Sequence, residues 1–318
     1  MSKEEKKRVR VFVPQTFEGV TSVAILEELT KDTENVELDI RYVSYLDFRD
    51  YQLFKDVEVI ITLGLPYKGY ALPDDFYVAV NNPFTDFIHA ATYGERIEGD
   101  HILSFVNPDA DPIKEIANFL SLHPDSSILT KHLEFTDKAW YLIEAVNSYR
   151  TWTWENNNTT RMLLALYYAS YKWLPKLIKG LELPDMVKQY APIIKGQLEK
   201  MNDYIARKRD MTKSYHVDID GQVCLVKIVF SDEYINELAN DLLNSEQTST
   251  PVVVCVGRTT KSSDMFSIRT RIVNAGRIAH LINEGSGKET VASVFTGVGY
   301  AELMGNGIVA KLSQSAPQ

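Results

Sequence analysis

The stretch that decides the fold is Arg8-Val9-Arg10-Val11-Phe12-Val13, followed by Pro14-Gln15 and then Thr16-Phe17-Glu18-Gly19-Val20-Thr21-Ser22-Val23-Ala24-Ile25-Leu26. Arg8 to Val13 reads as a buried β-strand, and Gly19 to Leu29 as a helix carrying Val20, Val23, Ala24, Ile25 and Leu26. Moving outward, Val36–Val43 alternates like a strand, Val57–Leu63 is a continuous apolar run and Tyr77–Val80 is a shorter one. Strands that alternate with helices or helix-length gaps predict an α/β fold with a parallel, doubly wound sheet. Ligands of such sheets sit at the carboxyl ends of the strands. Here those ends are the loops Pro14–Glu18, Gly64–Lys68 and Asn81–Asp86.

From Pro112 to Arg209 the periodicity becomes helical, with segments over Ala139–Tyr149, Arg161–Ile178 and Met186–Ala206. The last of these ends in Arg207-Lys208-Arg209, cations that suit the negative end of a helix dipole. Beyond it, Ser214–Ile219 and Gln222–Phe230 flank Asp220-Gly221, a hairpin signal. A helix from Ser231, strands over Pro251–Val256 and Met265–Arg271, a helix near Ala275–Ile282 and a strand near Val291–Phe295 follow. The expected domains are 1–180, a parallel sheet with helices; 181–213, a connecting helix and link; and 214–318, a smaller α/β domain.

Composition sets the class. The chain has 318 residues, 45% hydrophobic and 24% charged, the range of ordinary globular proteins. No window approaches 18 apolar residues, and the charged Met1–Lys7 leads straight into a strand. No membrane span and no secretory leader are expected, and the cytoplasm is the expected location. Cys224 and Cys255 lie in apolar runs, in no metal spacing, and read as buried thiols. A net charge of −9 argues against a general duplex binder, whose affinity comes from neutralising phosphates. From residue 251 onward, however, seven Lys and Arg stand against four Asp and Glu, which fits a local anion site.

The loop Thr16-Phe17-Glu18-Gly19 and its Ser22-containing helix resemble the first motif of the DHH/DHHA1 phosphoesterase superfamily, Asp-x-Asp-Gly. Thr16 and Glu18 take the two aspartate positions. Gly64 stands where the family closes a strand with aspartate, and Asn81-Asn82 where it has Asp-His-His. Ser148-Tyr149-Arg150-Thr151-Trp152 resembles the Asp-x-Asp-x-Trp of phage-type relatives, with the tryptophan kept and both carboxylates gone. Phe266-Ser267-Ile268-Arg269-Thr270-Arg271 resembles the family's Ser-x-Arg strand. Gly285-Ser286-Gly287-Lys288 resembles its Gly-Gly-Gly-His loop, with lysine for histidine. The resemblance implies a DHH-like domain, a helical connector and a DHHA1-like domain.

A two-metal phosphoesterase needs several carboxylates and histidines on ions roughly 3.5–4 Å apart. Thr16, Gly64, Asn81, Asn82 and Ser148 supply no charge, so Glu18 is the single acidic candidate at an expected position. No metal cofactor is therefore expected, and no catalytic residue is assigned. Asp86 and His89, three apart, would share a face if helical; with Asp109 and Asp111 they read as turn, cap and surface residues. Arg269 and Arg271 alternate along a strand and face one side, where two guanidinium groups can hold a phosphate. Ser267, Gly285, Ser286, Gly287 and Lys288 complete the expected ligand set, against the plainer reading of a solvated strand face beside a capping turn. Gly287-Lys288 is no P-loop, since Ile282 stands at the first glycine position and Glu289 at that of the Ser/Thr. The aromatic cluster of Trp152, Trp154, Tyr167, Tyr168, Tyr171 and Trp173 has the helical spacing of core, with Trp152 or Trp154 the best candidates for base stacking.

Three functions remain open. The first is a pseudoenzyme binding a nucleotide, a short single-stranded oligonucleotide or another phosphate ligand in the interdomain cleft. The second is a Mn- or Mg-dependent phosphodiesterase or nuclease with an atypical site around Glu18. The third is a protein-interaction or structural role on an inherited fold. The resemblance allows a homodimer.

Overall fold

In the computed structural model, residues 6–30, 34–47, 49–68, 74, 76, 78, 85–245, 249–259, 263–299 and 301–313 are described. The chain divides into two compact units, Met1–Leu198 and Glu199–Gln318.

The first unit is built on strand β1 (Lys7–Val13), in which Val9, Val11 and Val13 are wholly buried. Helix α1 (Phe17–Leu29) leads to β2 (Val36–Tyr42), and then come β3 (Val59–Leu63), β4 (Asp86–Ala91) and β5 (Ile102–Val106). All four pairings are parallel and the order is β2-β1-β3-β4-β5. β3 and β4 carry almost no exposed side chain, as strands covered on both faces must. The chain passes from β1 outward to β2 and then back across β1 to β3. The topological switch point therefore lies between β1 and β3.

Helix α1 is buried on most sides, with Glu18, Glu27 and Glu28 only half-buried, and lies between the sheet and the helices α3 (Asp137–Arg150) and α5 (Leu174–Ile178). α2 (Pro112–Leu122) packs on β4 and β5, and α4 (Asn158–Ser170) on α3. The expected strand over Tyr77–Val80 is a correction: Asp74, Phe76 and Val78 are helical, and 77, 79 and 80 lie outside the described residues. The strand beside β3 is instead Asp86–Ala91. It opens on a carboxylate and holds a histidine at its centre, which hides it from a search for apolar runs.

The long helix α6 (Leu183–Asp210) follows, and the division between the units falls inside it. The second unit is a six-stranded sheet in the order β10-β11-β9-β8-β7-β6. Its strands are β6 (Lys213–Ile219), β7 (Gln222–Phe230), β8 (Val252–Thr259), β9 (Asp264–Thr270), β10 (Ser286–Gly287) and β11 (Val291–Thr296). Asp220 and Gly221 turn β6 into β7 with φ of 56° and 82°, the left-handed pair of a tight hairpin. Helix α7 (Ile235–Asn244) packs on β8 and β9, while α8 (Ala275–Asn283) and α9 (Ala301–Ser313) enclose the core of Cys224, Val226, Cys255, Phe266, Ile268 and Val294. The chain is thus an α/β protein with a parallel five-stranded sheet and a second, smaller domain. Among the described residues no helix is long and apolar enough to cross a membrane.

Candidate functional site

At the carboxyl edge of β1, β3 and β4 the chain must leave the sheet three times, and a cavity of about 240 Å³ opens there. Thr16, Glu18, Ser22, Gly64, Thr92, Asp111 and Arg150 line it. Thr16 caps α1, its hydroxyl accepting from the Gly19 N–H at 3.3 Å. Glu18 and Ser22 follow at one-turn spacing, so both look the same way from α1. A Cβ on Gly19 would overlap the Pro14 carbonyl oxygen, so the first turn of α1 can close on β1 only with glycine there. Gly64 leaves β3 at φ +72°, a conformation that glycine adopts without cost and aspartate does not.

Asp111 caps α2, its Oδ1 accepting from the Ile113 N–H at 3.0 Å, and its own N–H donates to Asn147 Oδ1 at 3.0 Å. The residue is 1% exposed, and its Oδ2, also buried, has no hydrogen-bond partner. Burial, and next the nearby Glu18 carboxylate, push its pKa up to about 7; the Ile113 N–H and the Arg150 charge pull the other way. Arg150 sits at the last turn of α3 and donates from Nη2 to the Pro108 carbonyl at 3.2 Å. Its Nε is buried and makes no hydrogen bond. Two helix amino ends, a guanidinium and two carboxyl groups of unequal charge therefore share one small cavity.

Of the positions singled out in the sequence, Thr16, Glu18 and Gly64 are brought together here. Ser148 is not: its hydroxyl is spent on the Ala145 carbonyl at 2.9 Å and on Thr160 Oγ1 at 2.7 Å, between α3 and α4. Asn81 and Asn82 lie outside the described residues. The strand end adjacent to β3 is Ala91-Thr92, and Thr92 lines the cavity. Asp86 and His89 share no helical face, because both lie on β4, on opposite sides of the strand. Asp86 accepts from the Ser127 hydroxyl and the Ile128 N–H, each at 2.7 Å. His89 is fully buried and shares a 2.7 Å hydrogen bond with Thr62 Oγ1; burial lowers its pKa to about 4.

Sequence reasoning missed Asp111 and Arg150 as site residues. Asp111-Pro112 carries the signature of a helix cap, which it is, but a cap motif does not disclose burial. Arg150 was visible only as the absence of a carboxylate. Trp154, one of the two tryptophans expected to be free for stacking, is buried beside Tyr149, with ring centres 6.2 Å apart.

In the second unit Ser267 and Arg269 alternate along β9 on the face covered by α7. Arg269 Nη2 donates to Asn236 Oδ1 at 3.0 Å, and Arg271 Nη2 reaches Asn240 Oδ1 at 3.5 Å. The two asparagines are one turn apart, so α7 orients both guanidinium groups. Ser286, Ser293 and Ser267 stand opposite one another across β10, β11 and β9. The glycine loop is held tightly: Gly285 and Lys288 donate their N–H groups to the carbonyls of Ala279 at 3.1 Å and Val291 at 2.7 Å. A Cβ on Gly287 would overlap Ala292. These glycines serve close backbone packing, and the Gly285 amide, one of those expected to approach an anion, is already engaged.

A dinuclear Mn or Mg centre does not fit the donors at the first-unit cavity. Glu18 and Asp111 are its carboxyl groups, Arg150 brings a positive charge, and Gly64 offers no side chain. Among the described residues no three His, Cys, Asp or Glu side chains gather as metal ligands would.

No protein-family model matches the sequence, and no curated protein sequence matches it. Solved structures do. A RecJ from Thermus thermophilus in complex with Mn²⁺ superposes at a TM-score of 0.54 and 10% identity over 98% of this chain and 53% of its own, so this chain spans about half its length. An exonuclease RecJ bound to manganese gives 0.52 at 12% identity, over 97% and 90%. An exopolyphosphatase-related protein from Bacteroides fragilis gives 0.49 at 12%, over 98% and 94%. At such identities the likeness is one of fold.

Proposed function

We propose, from the premise that this chain has the DHH/DHHA1 phosphoesterase fold, that it binds a nucleotide, a short oligonucleotide or a related phosphate ligand at the Arg150 cavity and is catalytically impaired. Arg150 carries this reading: a guanidinium lines the carboxyl edge of the sheet. Guanidinium groups hold phosphate oxygens through paired N–H bonds. The amino ends of α1 and α2 add the partial positive charge of two helix dipoles, each about half an elementary charge. Asp111 in its protonated form would donate to a ligand oxygen instead of repelling it. Arg269, Arg271 and the serine row of the second unit, with Lys288, are proposed as phosphate contacts of that unit in their own right.

Thermal shift of the purified chain with mono-, di- and cyclic nucleotides tests it. At least one ligand should raise the melting temperature, and Arg150→Ala should abolish the rise; Arg269→Ala tests the second-unit contacts separately. A flat response across the panel, or one indifferent to Arg150, removes the support.

The unpartnered Asp111 Oδ2 near Glu18 favours a second reading, in which the two carboxylates hold one Mn²⁺ or Mg²⁺ and a phosphodiesterase activity remains. Manganese-dependent release of mononucleotides, lost in Glu18→Ala, would establish it over the first.

A further inference from the structure

The run Tyr167-Tyr168-Ala169-Ser170-Tyr171-Lys172-Trp173-Leu174-Pro175-Lys176-Leu177-Ile178-Lys179 ends α4 and forms α5. Helical spacing alone would put its aromatic rings in the core. The structure divides the run differently: Leu174, Pro175 and Ile178 are buried and anchor α5, while Trp173 is 56% exposed and Lys172, Lys176 and Lys179 are exposed. A tryptophan ring in water beside three exposed lysines offers a flat apolar face next to positive charge.

Rings and ammonium groups interleave. Lys176 Nζ lies 4.9 Å from the centre of the Trp173 ring, and Lys172 Nζ 6.0 Å from that of Tyr171. Tyr171 in turn lies 6.2 Å from Tyr167. The Tyr167 hydroxyl donates to the Gln15 carbonyl at 3.3 Å, and Gln15 directly precedes Thr16 of the cavity. The row thus runs from the β1–α1 loop outward over the surface of the first unit. Glu27 is a carboxylate whose charge meets Lys179 and Lys176, two of the three lysines of the row.

We propose that this ridge is a binding track for single-stranded nucleic acid, with bases stacking on Trp173 and the tyrosines and phosphates meeting Lys172, Lys176 and Lys179. Alternating flat rings and cations complement a strand of alternating bases and phosphates, and stacking is indifferent to sequence because every base has a π-face. An acidic peptide would use the lysines and leave the rings idle. The ridge goes beyond the cavity reading and shares only phosphate chemistry with it, so either can stand without the other.

The test is fluorescence anisotropy of a labelled oligothymidylate of about 15 nucleotides, titrated with the full chain at several salt concentrations. Trp173→Ala should weaken binding about tenfold, as expected for loss of one base–aromatic stack, while Trp173→Phe retains most of it. Changing Lys172, Lys176 and Lys179 together to Gln should lower the slope of log affinity against log salt by about 2, at roughly 0.7 per phosphate contact on a single strand. The melting shift given by a mononucleotide should be untouched by Trp173→Ala, which separates the ridge from the cavity. Absence of oligonucleotide binding, equal binding by Trp173→Ala, or displacement by polyglutamate with no response to Trp173 would each overturn the proposal, the last in favour of an acidic protein partner.

Discussion

Replacing Asp111 by Asn should make the protein's stability less sensitive to pH, and the size of the effect follows from where the carboxyl sits. Asp111 is 1% exposed and its pKa stands near 7 against the ordinary 3.8 of an aspartate, with burial the main cause and Glu18 the second. A carboxyl raised on folding keeps its proton in the native state while the unfolded chain loses it. Native stability therefore falls as pH rises from about 4 to about 7, and the penalty is complete above 7. At about 1.4 kcal/mol per unit, a rise of about three units costs on the order of 4 kcal/mol at pH 8. Asparagine caps a helix as well as aspartate does and titrates nowhere in this range. The stability of the Asn variant minus that of wild type should accordingly be about 3 kcal/mol larger at pH 8 than at pH 4.5. Urea unfolding followed by tryptophan fluorescence is the assay, because all four tryptophans, Trp140, Trp152, Trp154 and Trp173, lie in the first unit. Any constant cost of placing an amide at this position cancels between the two pH values. A difference that does not change with pH would mean that Asp111 titrates normally, and the account of the cavity's charge would fail with it. The same carboxyl predicts that anion affinity at the cavity declines as pH rises through 7.

His89 should act in the opposite direction. Its folded pKa is lowered to about 4 by burial, so the unfolded chain takes up the proton first, and stability present above about pH 6.5 is lost as pH falls towards 4. The loss is on the order of 3 kcal/mol, and His89→Gln should flatten it in the same urea assay; an unchanged acid limb would refute the burial argument. Gly19→Ala drives a methyl into a backbone oxygen and should destabilise the first unit by about 2 kcal/mol or more. Gly196→Ala, within α6 and with open space around it, should instead stabilise by up to about 1 kcal/mol. Equal urea midpoints for these two variants would show that the close approach of α1 to Pro14 is not sterically limiting.

The parts of the fold visible in the sequence were those whose burial shows as a pattern. β1 carries Val9, Val11 and Val13 in alternation and β3 is an apolar run with Ile60 and Ile61, and Asp220-Gly221 can hardly be anything but a hairpin turn. β4 and β5 escaped for physical reasons. β4 lies inside the sheet yet opens with Asp86 and contains His89, each hydrogen-bonded to a partner distant in sequence, and such a partner cannot be seen from the strand alone. β5 is half-buried at every position and so shows no alternation. At the site, Thr16, Glu18 and Gly64 were legible because loop and helix lie adjacent in sequence. Asp111 and Arg150 come from the ends of α2 and α3, and only the tertiary fold sets them beside Glu18.

A scarcity of carboxylates at the edge of a parallel sheet alters the sign of its field as well as weakening its hold on cations. A cluster of aspartates repels phosphate and can meet it only through bound metal ions. Here the formal charges that remain are Glu18, Arg150 and an Asp111 that is about half ionised near pH 7. The amino ends of α1 and α2 contribute roughly half a positive charge each. Glu18 and Arg150 nearly cancel, and the helix ends then outweigh the partial charge on Asp111. The balance is slightly positive at neutral pH and more so in acid, in a cavity too small to dilute it with much water. Glycine at 64 and arginine at 150 are both unfavourable for a metal ion and make direct contact with an anion less costly. Under the proposed reading such a cavity would hold a phosphate without an ion, and the response of ligand binding to Arg150→Ala tests it.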